Sequence, residues 1–147
     1  MERRGFFKSL AALAGLAASG IAAGSAQAAP QKNKVAYHLT DAERAQSVLG
    51  NIRNHINGVG GPENVEIVLV VHGAAVKAFE DISAQPDLKT AFAKLKADKV
   101  AFNACGNTLK SLKWDVSDLV PGFVRVDQGG VVRLAELQAA GYVYLRP

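Results

Sequence analysis

The chain has 147 residues, with 17 Lys and Arg against 13 Asp and Glu, three histidines and a single cysteine. That length suits one domain with one real core, and a lone cysteine excludes an intrachain disulfide. The formal charge of +4 falls to about +2 once Glu2, Arg3, Arg4 and Lys8 are set aside, so composition implies no nucleic-acid partner.

The amino terminus reads Arg3-Arg4-Gly5-Phe6-Phe7-Lys8, then an Ala-rich apolar stretch from Leu10 to Ala23, then Ala26-Gln27-Ala28 ahead of Ala29-Pro30. A basic start, a short apolar middle and a small-x-small site predict a cleavable signal peptide over residues 1–28. The paired arginines with Phe6 and Lys8 resemble the twin-arginine export signal. Leu10 to Ala23 falls short of the roughly 20 apolar residues that a spanning helix needs, so no stable membrane anchor is expected. The mature protein, residues 29–147, is therefore expected in the periplasm, where an unpaired thiol stands out.

Lys34 to Leu39 reads as a first strand, and Thr40-Asp41-Ala42-Glu43 has the pattern of a capping box opening a helix. In that helix Ala45, Val48, Leu49, Ile52 and Ile56 form one apolar stripe, and His55 falls near its exposed end. Val65 to Val71 is almost continuously apolar and β-branched, as in a central strand covered on both faces; His72-Gly73 closes it. A short helix from Ala74 to Asp81 and a second from Asp87 to Ala97 follow, the latter burying Leu88, Ala91, Phe92 and Leu95. Its lysines, Lys89, Lys94, Lys96 and Lys99, alternate with Asp87 and Asp98 and make a solvated face. Val100 to Ala104 is a third strand leading to Cys105. Gly106-Asn107-Thr108 then supplies a turn, with Thr108 as cap of a helix running to Leu112. Asp115 to Leu119 makes a further turn, Phe123 to Val126 a fourth strand, and Gly129-Gly130 opens a helix through Val131, Leu134 and Leu137 that stops at Gly141. Tyr142 to Leu145 is the fifth strand. Strands alternating with helices predict an α/β domain, a three-layer α/β/α arrangement with a mainly parallel five-stranded sheet.

In such sheets ligands bind beyond the carboxyl ends of the strands, and His38, His72 and Cys105 all fall at strand ends on that rim. A thiol between a strand and a helix start meets backbone N–H groups and the positive helix end, which favour the thiolate. The same spacing also fits a buried cysteine serving as a small hydrophobe. Gly106, Asn107 and Thr108 are the candidate anion- or ligand-binding residues, though capping also accounts for Asn107 and Thr108. His72, before a glycine at a strand end, is the candidate proton donor or acceptor, against a purely structural histidine. No close-spaced Cys or His pair suggests a metal, and no glycine-rich phosphate loop, haem-attachment motif or serine elbow is present. No resident cofactor is expected.

Val100-Ala101-Phe102-Asn103-Ala104-Cys105-Gly106-Asn107-Thr108-Leu109, Leu119-Val120-Pro121-Gly122, Gly130 to Gln138 and the ending Gly141-Tyr142-Val143-Tyr144-Leu145-Arg146-Pro147 together resemble the exported branch of the DsrE/DsrF-like family, and Asn64 to Gly73 fits its second strand. The resemblance implies a three-layer fold that often forms homo-oligomers. In cytoplasmic relatives it implies a cysteine that carries sulfur as a persulfide in sulfur oxidation or transfer-RNA thiolation relays. Carried over, it makes Cys105 a persulfide-forming sulfur carrier or sulfurtransferase-like residue, with a sulfur donor or acceptor protein as partner. The competing reading is a non-catalytic module that binds a small ligand or a thiophilic metal through Cys105 and a histidine.

Overall fold

A computed structural model describes residues 32–147; the expected signal peptide and its cleavage site lie outside the described residues. Five strands, β1 (Asn33–Leu39), β2 (Val65–Val71), β3 (Ala101–Cys105), β4 (Phe123–Val126) and β5 (Val143–Leu145), pair in the order β4-β3-β2-β1-β5, every pair parallel. Parallel neighbours need crossovers, which α1 (Ala45–Gly58), α2 (Pro86–Ala97), α3 (Gly106–Leu112) and α4 (Gly130–Ala139) help to provide.

The apolar run of β2 requires cover on both faces, and it has it. Ile67, Leu69 and Val71 join the large core with the stripe of α1, with Leu88, Phe92 and Leu95 of α2, and with Leu109 of α3. Val68 and Val70 point the other way and pack with Ala36 under Leu134 and Leu137 of α4. In the larger core Phe79, Phe92, Phe102 and Phe123 interlock, with ring centroids 4.0–6.2 Å apart, and tie β3 and β4 to α2.

Four local expectations need correction. Thr40 to Glu43 forms no capping box: Asp41 is the N-cap of a 3-10 turn at Ala42–Arg44 and makes no side-chain cap bond. The Thr40 hydroxyl instead donates to the Asp41 carboxylate at 3.1 Å and accepts from Arg146 at 2.8 Å. The segment after His72 is a 3-10 helix, Gly73–Phe79, not an α-helix. It is tied at both ends, Ala75 N–H to Thr40 C=O and Val120 N–H to Phe79 C=O, and the longer rise per residue of the tighter helix suits that span. Ala91, expected in the buried stripe of α2, is only partly buried beside the core. His55 is half-buried, its Nδ1 2.8 Å from the Tyr37 hydroxyl, because the last turn of α1 lies over β1.

Leu69→Ala should lower the unfolding free energy by about 2–5 kcal/mol in a urea titration. Val68→Ala, on the opposite face, should lower it by less. Wild-type stability in either variant would contradict a strand buried on both sides.

Candidate functional site

Side chains alternate along a strand, so the register decides which rim residues share a face. Val71 pairs with Ala104, and one step further His72 and Cys105 stand side by side, both on the face covered by α4. His38 pairs with Val70, one alternation short of His72 on the same face, and Tyr144 pairs with Ala36, one alternation short of His38. Tyr144, His38, His72 and Cys105 thus cross four adjacent strands as a diagonal row.

Cys105 is only 6% exposed and is itself the N-cap of α3. Thr108, expected as that cap, lies two residues inside the helix, because β3 runs straight into α3 with no intervening turn. Its hydroxyl accepts from Gly73 N–H at 3.0 Å. Burial pushes the Cys105 pKa up, but the Thr108 hydroxyl and the backbone N–H groups of Gly130, Thr108 and Asn107 outweigh it, and the net shift is downward from an ordinary thiol. A side chain at Gly106 would meet Val126 O at 2.9 Å and Asp127 Cα at 3.1 Å, so this glycine serves the close approach of β4. The Asn107 side chain rests against Gly129, whose φ is +93°.

Gly130 escaped the reading of the sequence as a site residue. It opens α4, gives an N–H to Cys105, and is closely packed: a Cβ would lie 3.1 Å from His72 Cβ and 3.4 Å from Cys105 Cβ, tight enough that these neighbours would have to shift. The Gly129-Gly130 pair directly before a helix was the available signal. Arg133 Nε donates at 3.0 Å to Oδ1 of Asn103, the buried polar side chain of β3, and fastens the same helix to the sheet.

His72 makes no hydrogen bond to Cys105 among the described residues. Its Nε2 lies 2.6 Å from His38 Nε2, and His38 Nδ1 lies 2.7 Å from the Tyr144 hydroxyl. The two imidazole planes differ by 22° with centroids 4.7 Å apart, so at that nitrogen separation the rings meet edge to edge, nearly in line. Burial, His72 and Arg146 push the His38 pKa down to about 4 against the opposing pull of Asp41; burial and Arg146 also lower that of His72. Arg146 is held by Thr40 and by Asp41 at 3.7 Å. Among the described residues no three His, Cys, Asp or Glu side chains gather as a metal site. A shallow groove of about 430 Å³ runs past Thr108, lined also by Gly73, Lys77, Asn107 and Ser111. A larger hollow, about 830 Å³, lies at the opposite strand ends beside Lys34, His55 and Glu66.

Two measurements follow. Alkylation of Cys105 in the folded protein should have a pH midpoint below the roughly 8.5 of a free cysteine, and Thr108→Val should move it upward. A thiol that reacts only after denaturation would contradict the geometry. His38 should stay neutral well below pH 6.5. Because its folded pKa is depressed, its contribution to stability is present above about pH 6.5 and is lost as pH falls toward about 4, and His38→Gln should flatten that stretch of the stability profile.

No curated protein matches the chain. Among solved structures, a protein of unknown function from Methanobacterium thermoautotrophicum, MTH1491, is similar with a TM-score of 0.70 and 25% identity, covering 79% of this chain and all of its own. The ychN protein from E. coli shares the fold, with a TM-score of 0.60 and 17% identity over 80% of this chain and all of its own. The model of the DsrE/DsrF-like family matches residues 17–147, a span that takes in all five strands, Cys105 and the histidine row, and the chain belongs to that family.

Proposed function

We propose that this protein is a periplasmic sulfur carrier, sulfurtransferase-like in its chemistry, in which Cys105 takes up and hands on sulfane sulfur. The observation that carries this reading is the set of donors aimed at one sulfur: N–H groups from the starts of α3 and α4 and the Thr108 hydroxyl all favour the anionic form. The Cys105 thiolate attacks the terminal sulfur of a persulfide donor, R–S–SH. A new bond forms from Sγ as the donor's S–S bond breaks, and R–S⁻ leaves with that bond's electron pair. Cys105 becomes Sγ–SH, and no external oxidant or reductant is consumed. The same donors that favour the thiolate favour the persulfide anion. His72 serves proton transfer to the exchanging sulfurs from the neighbouring strand.

The arginine pair, apolar stretch and Ala26-Gln27-Ala28 support export, with cleavage after Ala28. Val124 on β4 and Val131 and Val132 on α4 are exposed apolar residues, surface of the kind that self-association covers, which supports a homo-oligomer. A sulfur donor or acceptor protein would dock at the groove beside Thr108.

Protein purified from the periplasm should begin at Ala29 and carry, by mass spectrometry, an additional sulfur on Cys105 that a reducing thiol removes. Cys105→Ser should carry none. A free thiol accompanied by a stoichiometric metal ion would overturn the carrier in favour of a binding module.

A further inference from the structure

A neutral imidazole can give up its N–H only if its other nitrogen gains a proton in the same step, since the imidazolate is otherwise far too basic. His72 meets that condition. Its Nε2 faces His38 Nε2 at 2.6 Å nearly in line, and only one proton fits between two nitrogens at that distance. His38 Nδ1 in turn meets the Tyr144 hydroxyl at 2.7 Å, and Tyr144 is 38% exposed on the edge strand. The Nδ1 of His72 hydrogen-bonds no described residue, which leaves it the free end of the chain.

We propose that Tyr144, His38 and His72 form a proton relay serving the sulfur that exchanges on Cys105, with His72 Nδ1 giving a proton to the departing thiolate while solvent refills the row at the Tyr144 hydroxyl. This rests on the reading of Cys105 as the exchanging sulfur. In the starting arrangement Tyr144 O–H donates to His38 Nδ1, His38 Nε2–H donates to His72 Nε2, and His72 Nδ1 bears a proton. When the thiolate takes that proton, the His38 proton passes to His72 Nε2, the Tyr144 proton passes to His38 Nδ1, and water reprotonates the phenol oxygen. One proton leaves solvent, one reaches sulfur, and neither histidine holds a charge at the end. A charge-free route suits the surroundings. Arg146 at the end of β5 and Asp41 after β1 are the charged groups bearing on the pair, and Gly130, packed on His72 from α4, brings no side chain. Burial and Arg146 both oppose a lasting imidazolium. His38 and Tyr144 act through His72, so they are positioning and relay residues.

A simple disulfide tests the relay without requiring sulfur transfer. The Cys105 thiolate attacks R–S–S–R, forms Sγ–S–R and expels R–S⁻; an alkyl thiolate is basic and profits from protonation as it leaves, whereas an aryl thiolate departs unaided. The full mature protein is treated with an aryl and an alkyl disulfide, and the ratio of the two rate constants is compared in wild type, Tyr144→Phe and His38→Gln. Both substitutions should raise the aryl-to-alkyl ratio about tenfold, below the roughly 10²–10⁴-fold that a general acid itself contributes because His72 remains in place. They should also reduce the solvent isotope effect on the alkyl reaction. A merely structural tie between β5 and β1 would slow both reagents alike, so a ratio unchanged in both variants overturns the relay. Uptake of sulfur from polysulfide is read separately. Loading of Cys105 with an unchanged ratio removes the relay and keeps the carrier; a raised ratio with no loading does the reverse.

Discussion

The seating of α4 on the sheet is the contact on which the site depends. It is the helix packed over that face in the described residues, and a small apolar patch holds it: Leu134 and Leu137 against Ala36, Val68 and Val70, with Arg133 bonded to Asn103 at one side. At roughly 25 cal/mol per Å² of buried apolar surface, such a patch contributes modestly beside the large core on the opposite face. Yet it delivers the Gly130 N–H to Cys105 and closes over His72. One of the groups that lower the thiol's pKa and part of its shelter therefore share one origin, while Thr108 and Asn107 of α3 supply the remaining donors.

The opposite face has a different task. The α1 stripe, the four interlocked phenylalanines and the 3-10 segment fix the strands in register, and register alone turns four residues scattered over the chain into a row. A one-residue slip would send a histidine to the wrong side of its strand. The rigidity of the large core is thus what lets the weaker face carry polar groups.

The sequence made some of this legible. The five buried positions of α1 follow from helical periodicity, and Val65–Val71 follows from an almost continuous apolar, largely β-branched run; both signals are local and strong. Cys105 and His72 could be assigned to one rim because parallel strands end on the same side. His38 falls on that rim by the same argument, but its contact with Tyr144 could not be read from the sequence. His38 and Tyr144 are 106 positions apart, and their meeting depends on β5 pairing with β1, which no local pattern encodes. Gly130 is similarly remote from the thiol that it serves. Thr40 misled because its hydroxyl satisfies Asp41 and Arg146, a tertiary demand that outcompetes the local cap. Thr108 misled because the strand continues straight into the helix, whose cap is Cys105, three residues earlier than turn chemistry suggests.

The burial of Cys105 separates two forms of the same residue. An empty thiol at 6% exposure offers a docking partner almost nothing to touch. A second sulfur bonded to Sγ would sit about 2 Å farther along the side chain. The atom tethered to the protein would stay inside its ring of donors while the cargo atom projects past it. On the proposed carrier reading, a surface that differs by one protruding atom would let a recipient distinguish a sulfur-loaded protein from a spent one by shape alone, before any bond is exchanged.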